Sequence, residues 1–308
     1  MKVLVTGGAG FIGSHLVEAL LARGDRVAVV DDLSAGKKSN LDAAVPLHVA
    51  DIRDAAALER VFEKERPQIV SHHAAQTDVR RSMSDPGFDA QVNVLGSVNL
   101  FHLCVKHKVQ KILFASSSAA YPEPERLPVR EDHPIRPVSA YGLTKYIGEQ
   151  YLRFYRETQG LRFTAFRYGN VYGPRQDPQG EAGVVAIFST QMLTGLQPTL
   201  FGDGKKTRDY LYVTDVVSAN LAALDGAGDG EVFNLGWGKE VTDLAVFEAI
   251  RGALGVKVEP RYAAKRPGEL VRIALDSSKA REALGWKPAV PFEEGIRRAV
   301  EYYRRQAG

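Results

Sequence analysis

A doubly wound parallel α/β sheet followed by a smaller mixed α/β domain is the fold this sequence predicts, and three observations predict it. Short apolar runs rich in Val, Ile, Leu and Phe recur at residues 3–6, 27–30, 47–50, 69–71, 112–115 and 164–167, with helix-like segments between most of them. The runs are continuous rather than alternating, as strands covered on both faces should be. A glycine-rich turn joins the first run to the first helical segment, residues 14–22, whose Leu16, Val17, Leu20 and Leu21 share an apolar face. Asp54 is placed to cap the next helix, which turns Leu58, Val61 and Phe62 inward, and residues 93–105 and 140–155 form longer helical stretches. After about residue 172 the texture changes. Pro174, Pro178, Gly183, Pro198, Gly202 and Gly204 interrupt it, and short strands at 232–235 and 258–262 and a last helix at 292–305 stand out. Residues 1–172 therefore read as one domain and 173–308 mainly as a second, with the strand at 232–235 able to return to the first sheet.

The 308 residues, 44% apolar or aromatic and 25% charged, suffice for a large core in roughly two lobes. Against 37 acidic side chains stand 40 basic ones, a net +3 that is mostly scattered and too weak for a nucleic-acid footprint. The single cysteine, Cys104, lies in the apolar stretch LFHLCV, which excludes a disulfide framework and points to a small core residue in a reducing cytoplasm. Glycines break the first apolar run early, so neither a signal peptide nor a membrane span is expected.

The turn reads Gly7-Gly8-Ala9-Gly10-Phe11-Ile12-Gly13. Glycines there permit a tight bend and close approach of a diphosphate, and the helix N-terminus supplies free N–H donors. The spacing is G-x-x-G-x-x-G rather than G-x-G-x-x-G, but a strand precedes it, a helix follows, and Asp31-Asp32 ends the next strand, Asp31 lying 18 residues past Gly13. A carboxylate at that place accepts ribose hydroxyls and repels a 2′-phosphate, so NAD is expected rather than NADP.

Tyr141 and Lys145 stand at i and i+4, on one helical face. Such a pair is common by chance on a surface. Its weight comes from Ser116-Ser117-Ser118 at the C-terminal end of a buried strand, where ligands of open α/β sheets bind. Tyrosine ordinarily titrates near 10, and a nearby ammonium and a nicotinamide cation should lower that value, making Tyr141 a base for a sugar hydroxyl that Ser117 orients. Ser118 is the near alternative to Ser117.

At these residues the chain resembles the extended short-chain dehydrogenase/reductase superfamily, and within it the NAD-dependent sugar-nucleotide epimerases that act on UDP-glucose. The resemblance spans essentially the whole chain, through T-G-G-A-G-F-I-G, Asp51-Ile52, F-A-S-S, S-A-Y-G-L-T-K, R-Y-G-N-V-Y-G-P-R, T-R-D-Y-L-Y-V and R-P-G-E. It implies a Rossmann sheet whose NAD meets the glycine turn with Phe11 and Ile12, Asp31 and Asp32, Asp51 and Ile52 at the adenine, His73-Ala74-Ala75 along the groove, and Tyr141, Lys145 and Tyr168. It further implies that Asn93 supports the catalytic helix and the nicotinamide end. On the substrate side it implies contacts from Ser117, Tyr141 and Asn170, uracil stacking by Phe201, diphosphate binding by Arg208 and Arg266, and a homodimer built on helices 93–105 and 140–155. Two arginines near glycine-rich loops also suit bidentate capture of phosphate oxygens.

The chain departs from that pattern with Ala120-Tyr121-Pro122 after its serines, with a short loop at 202–207 like that of related dTDP-sugar enzymes, and with Ile273 where a large aromatic residue often narrows the sugar pocket. The last leaves room for an N-acetyl group. His72 and His73 are adjacent in a strand and point to opposite faces, and His102 and His107 miss the i, i+4 spacing, so no catalytic metal is expected. The expected activity is NAD-dependent epimerisation at C4 of a nucleotide sugar, foremost UDP-glucose and UDP-galactose, through a transient 4-keto sugar. The alternatives are a UDP-N-acetylhexosamine 4-epimerase, a nucleotide-sugar dehydratase or decarboxylase, and a non-catalytic NAD-binding sensor. A 4,6-dehydratase should carry an Asp-Glu pair where Ser118-Ala119 stand, and a sensor should lack the tyrosine or the lysine.

Overall fold

A computed structural model describes residues 1–179, 183–265 and 270–307. The chain begins with β1 (Lys2–Thr6), α1 (Phe11–Ala22), β2 (Arg26–Asp31), β3 (Leu47–Val49), α2 (Ala55–Glu65), β4 (Ile69–His72), α3 (Val79–Ser84) and α4 (Pro86–Ala90). A π-helical turn, Gln91–Gly96, leads into α5 (Ser97–Lys106), β5 (Lys111–Ser117), α6 (Ala140–Gln159) and β6 (Phe163–Tyr168). Then come β7 (Asn170–Tyr172), α7 (Val184–Leu193), β8 (Thr199–Phe201), β9 (Thr207–Arg208), β10 (Tyr210–Tyr212), α8 (Val213–Leu224) and β11 (Glu231–Leu235). The chain closes with β12 (Val241–Thr242), α9 (Asp243–Leu254), β13 (Arg261–Ala263), α10 (Ser278–Leu284) and α11 (Phe292–Ala307).

Seven strands make one parallel sheet in the order β11-β6-β5-β4-β1-β2-β3. Successive residues of β1 alternate between its two faces. Val3 and Val5 join Leu16, Val17 and Leu20 of α1 and Val216 of α8 in one core, while Leu4 joins Leu58 and Phe62 of α2 and Leu100 and Phe101 of α5 in the other. This double cover is why the strands read as unbroken apolar runs. Asp54 caps α2 by accepting from the Ala57 N–H at 2.9 Å, and Cys104 is fully buried in the second core. The chain lays down β1, β2 and β3 outward and then crosses to the other side of β1 for β4. That reversal opens a crevice beyond the C-terminal ends of β1 and β4.

The second half adds three two-stranded ribbons, β7 with β10, β8 with β13, and β9 with β12. Helices α7, α9 and α11 close over a third core built on Tyr172, Phe188, Tyr212, Phe247, Ile296 and Tyr303. The strand expected at 232–235 does return to the main sheet, where β11 pairs with β6 from Glu231↔Thr164 to Leu235↔Tyr168. Several boundaries differ from expectation. Helix α1 starts at Phe11, so Gly13 lies inside it. The helix expected from residue 93 is a π-turn up to Gly96, whose added Cβ would lie 2.6 Å from the Ile52 side chain. The strand expected at 258–262 forms at Arg261–Ala263, because Pro260 has no N–H to donate and pairing begins after it.

Candidate active site

One cleft of about 1900 Å³ runs across the C-terminal ends of the central strands. Its lining gathers Gly7, Gly10, Phe11, Ile12, Gly13, Asp31, Asp32, Asp51, Ile52, His73, Ala74, Ala75 and Tyr168 at one side. Ser117, Tyr141 and Lys145 lie on it as well, with Asn170, Phe201, Arg208 and Ile273 at the other side. Arg266 lies outside the described residues.

The first side fits a dinucleotide. Gly7 sits at φ +67, and a Cβ there would come 2.6 Å from the Ala74 nitrogen. A Cβ at Gly13 would come 2.1 Å from the Gly7 carbonyl oxygen, so the turn is closed to side chains. Helix α1 has Gly10 at its N-cap and no side chain capping its first N–H groups, which leaves them as donors for phosphate oxygens. The Asp31 carboxylate accepts from the N–H of Ala9 and of Leu33, each at 2.9 Å, and burial pushes it above the usual carboxylate range. Each of its oxygens has a second lone pair for a ribose hydroxyl. Asp32 instead holds a turn, accepting from Ser34 N–H at 2.9 Å and Ser34 Oγ at 2.6 Å.

Asp51 is gripped by Arg53, whose Nε and Nη2 donate to Oδ2 at 2.9 and 2.5 Å, and this guanidinium holds the carboxyl below its ordinary range. The His73 ring stacks on Tyr168, centroids 6.4 Å apart at 9°, and its Nδ1 is buried with no hydrogen-bond partner among the described residues. Burial and the Lys145 ammonium push His73 down to about 3, which keeps it neutral. Asn93 does not line the cleft. It is buried behind it, where Oδ1 accepts from Gln76 N–H at 2.9 Å and Nδ2 donates to Gln76 O at 3.0 Å and Thr144 Oγ1 at 3.3 Å, tying the end of β4 to α6.

Ser139 caps α6 through the Gly142 N–H at 3.1 Å, and Tyr141 and Lys145 follow one turn apart. Ser117 acts on the Tyr141 phenol, favouring its ionised form, which weighs toward Ser117 of the two hydroxyls left open by the sequence. Lys145 Nζ donates to the Ala115 carbonyl at 2.9 Å and lies 5.9 Å from the centre of the Tyr141 ring. Burial pushes Lys145 down to about 8 and Tyr141 up to about 12, against the lowering by Ser117. In the protein alone the expected lowering of the phenol does not dominate: loss of water around the ring outweighs Ser117, and the Lys145 ammonium is directed at the Ala115 carbonyl.

Several neighbours escaped the motif reading. Ser82 Oγ accepts from the Tyr141 N–H at 3.0 Å, and the Arg81 guanidinium covers the Phe88 ring at 3.9 Å, features with no sequence signature. Glu149 had a signal, since Tyr141, Lys145 and Glu149 continue the i, i+4, i+8 face. Its carboxylate is fully buried and takes Arg167 Nε at 2.9 Å, Arg167 Nη2 at 2.6 Å and Ser116 Oγ at 2.5 Å. Arg167 Nη1 goes on to the Tyr121 hydroxyl at 2.7 Å, and that hydroxyl donates to Asn234 Oδ1 at 2.8 Å. On the substrate side Arg208 lines the cleft and donates from Nη1 to the Thr207 carbonyl at 2.7 Å.

Residues 3–236 match the profile of the NAD dependent epimerase/dehydratase family. The chain is 45% identical to the UDP-glucose 4-epimerase of Mycolicibacterium smegmatis over the full length of both. Among solved structures, UDP-glucose 4-epimerase of Thermotoga maritima with UDP-glucose superposes at a TM-score of 0.98 with 46% identity, covering 100% of both chains. The Thermus thermophilus UDP-glucose 4-epimerase complex with NAD gives 0.94 with 47% identity over 99% of each.

Proposed function

Since this chain belongs to the NAD dependent epimerase/dehydratase family, we propose that it interconverts UDP-glucose and UDP-galactose by NAD-dependent epimerisation at C4. The observation that carries the reading is the Ser117–Tyr141–Lys145 cluster, set in one cleft between a dinucleotide-shaped turn and the polar side that holds Asn170 and Arg208. The chemistry that NAD supplies when bound is reversible hydride transfer. Tyr141 moves the proton of the sugar hydroxyl, Ser117 orients that hydroxyl, and Lys145, charged at neutral pH, favours the phenolate. Gly7, Gly10 and Gly13 with the start of α1 hold the diphosphate of the cofactor, Asp31 its ribose and Asp51-Ile52 its adenine. Asn170, Phe201, Arg208 and Arg266 take the UDP-sugar. In this division residues 1–172 serve NAD and 173–308 mainly the substrate.

Ser118 and Ala119 line the cleft where a dehydratase would need carboxyl groups, which favours epimerisation. Buried Ile273 on the sugar side supports N-acetylated sugars as further substrates. The purified protein is expected to carry NAD and to convert UDP-galactose to UDP-glucose with no added cofactor. Assays on UDP-glucose, UDP-N-acetylglucosamine and dTDP-glucose check this, and failure on every UDP-hexose, or release of a dehydrated sugar, sinks it.

A homodimer and a cytoplasmic setting complete the reading. Leu95, Leu143, Tyr151 and Phe154 stand exposed on the π-turn and α6, an apolar surface suited to a second copy. Wild type is expected to sediment at twice the chain mass and Leu143→Glu/Phe154→Glu at the chain mass; a wild-type monomer overturns it. Among the described residues no helix is long and apolar enough to cross a membrane.

A further inference from the structure

Asp89, on α4, is a fully buried carboxylate whose hydrogen-bond donors among the described residues are all neutral: Gln76 Nε2 at 2.8 Å, Asn93 Nδ2 at 3.1 Å and Thr144 Oγ1 at 2.7 Å. A buried carboxylate held only by neutral donors is costly to keep. Thr144 directly precedes Lys145, and the same hydroxyl also lies 3.1 Å from the Tyr141 carbonyl, so Asp89 holds the one helical turn that carries both functional side chains. Lys145 itself has only the Ala115 carbonyl as acceptor among the described residues. We propose that Asp89 is a positioning residue of the Tyr141–Lys145 pair, the counter-charge that keeps Lys145 an ammonium in the interior and, through Thr144, fixes the turn. This rests on the epimerase reading for its place in the reaction.

The surrounding charges leave this role to Asp89. Helix α6 presents Tyr141 and Lys145, and both feel the Asp89 charge, which favours the protonated form of each. Glu149, further along α6, is committed to Arg167. Helix α3 carries Arg80 and Arg81, the latter stacked on Phe88. Asp78 caps α3 by accepting from the Arg81 N–H, and Asp85 caps α4 by accepting from the Phe88 N–H. The π-turn has no ionisable side chain. His72 and His73, at the end of β4, are kept neutral by burial and by Lys145.

Asp89→Asn removes the charge and keeps the shape. Its Oδ1 can accept from Gln76 and Asn93 while its Nδ2 donates to Thr144, whose hydroxyl turns to the Tyr141 carbonyl. Both limbs of the kcat/KM–pH profile are expected to move to lower pH by about one unit, a tenfold change in rate on the alkaline limb. Thr144→Val is expected to lower the rate with the limbs in place. A second readout does not need turnover. Lys145, at about 8 against its ordinary 10.5, releases its proton from the native state first, so its titration raises stability with pH between those values. In Asp89→Asn that rise in melting temperature should begin at lower pH, and adding Lys145→Met should abolish it and restore folding if the single variant fails to fold. Unmoved limbs, an unmoved onset or a failed rescue overturns the assignment. A moved onset in a protein that converts no UDP-hexose retains Asp89 as the counter-charge and removes only the epimerase reading.

Discussion

Tyr141→Phe is expected to lower kcat for UDP-galactose by at least about two orders of magnitude, a typical acid–base contribution. The substitution removes one oxygen and leaves the ring and its contacts. What it takes away is the phenol hydroxyl that shares the cleft with Ser117 and Lys145, the group proposed to exchange a proton with a sugar hydroxyl there. Because burial holds that phenol near 12, wild-type activity should also climb with pH on its acidic limb as more of the phenolate forms, until Lys145 loses its charge. The variant should keep its bound NAD and its melting temperature. Steady-state rates on protein matched for NAD content check this, and near-normal turnover by Tyr141→Phe would remove the proton-transfer role from this residue.

Glu149→Gln is expected to destabilise the fold by about 3–5 kcal/mol, the usual cost of leaving one member of a buried ion pair alone. Both side chains are almost fully buried, 3% exposed for Arg167 and 0% for Glu149. In either orientation the amide NH2 would face a guanidinium N–H, at Nε or at Nη2, donor against donor. Because replacing both ions by apolar groups is often nearly neutral, Glu149→Leu/Arg167→Met should be milder than Glu149→Gln alone. Urea unfolding midpoints decide it. A single variant within about 1 kcal/mol of wild type, or a double variant that is worse, is incompatible with this account of the pair.

The sheet was legible because its strands are covered on both sides and separated by helices, so continuous apolar runs mark them. The glycine turn was legible because a specific spacing is demanded by close backbone contacts, the 2.1 Å a Gly13 Cβ would leave being one of them. Tyr141 and Lys145 were legible because one helical turn brings them together. Asp89, Ser82 and Arg167 were not, since their partners lie far along the chain: Arg167 meets Tyr121 across 46 residues and Ser82 meets Tyr141 across 59. The electrostatic direction at Tyr141 was also hidden. Spacing can place an ammonium near a phenol, but it does not reveal how much water the fold removes from both. Strand ends such as β13 were blurred because three residues of pairing leave little periodicity to read.

The return of β11 to the main sheet also sets a schedule for synthesis. Strand β6 is complete at Tyr168, yet its outer neighbour does not begin until Glu231, about 60 residues later, which at ribosomal rates of roughly 5–20 residues per second is a delay on the order of 3–12 s. Throughout that interval the nascent chain carries the open hydrogen-bonding edge of an apolar strand with Phe163 and Phe166 on it. Speeding elongation through residues 169–235 would shorten this window, and stalling there would lengthen it, so the yield of native protein is coupled to translation speed over a stretch that contributes just one strand to the sheet.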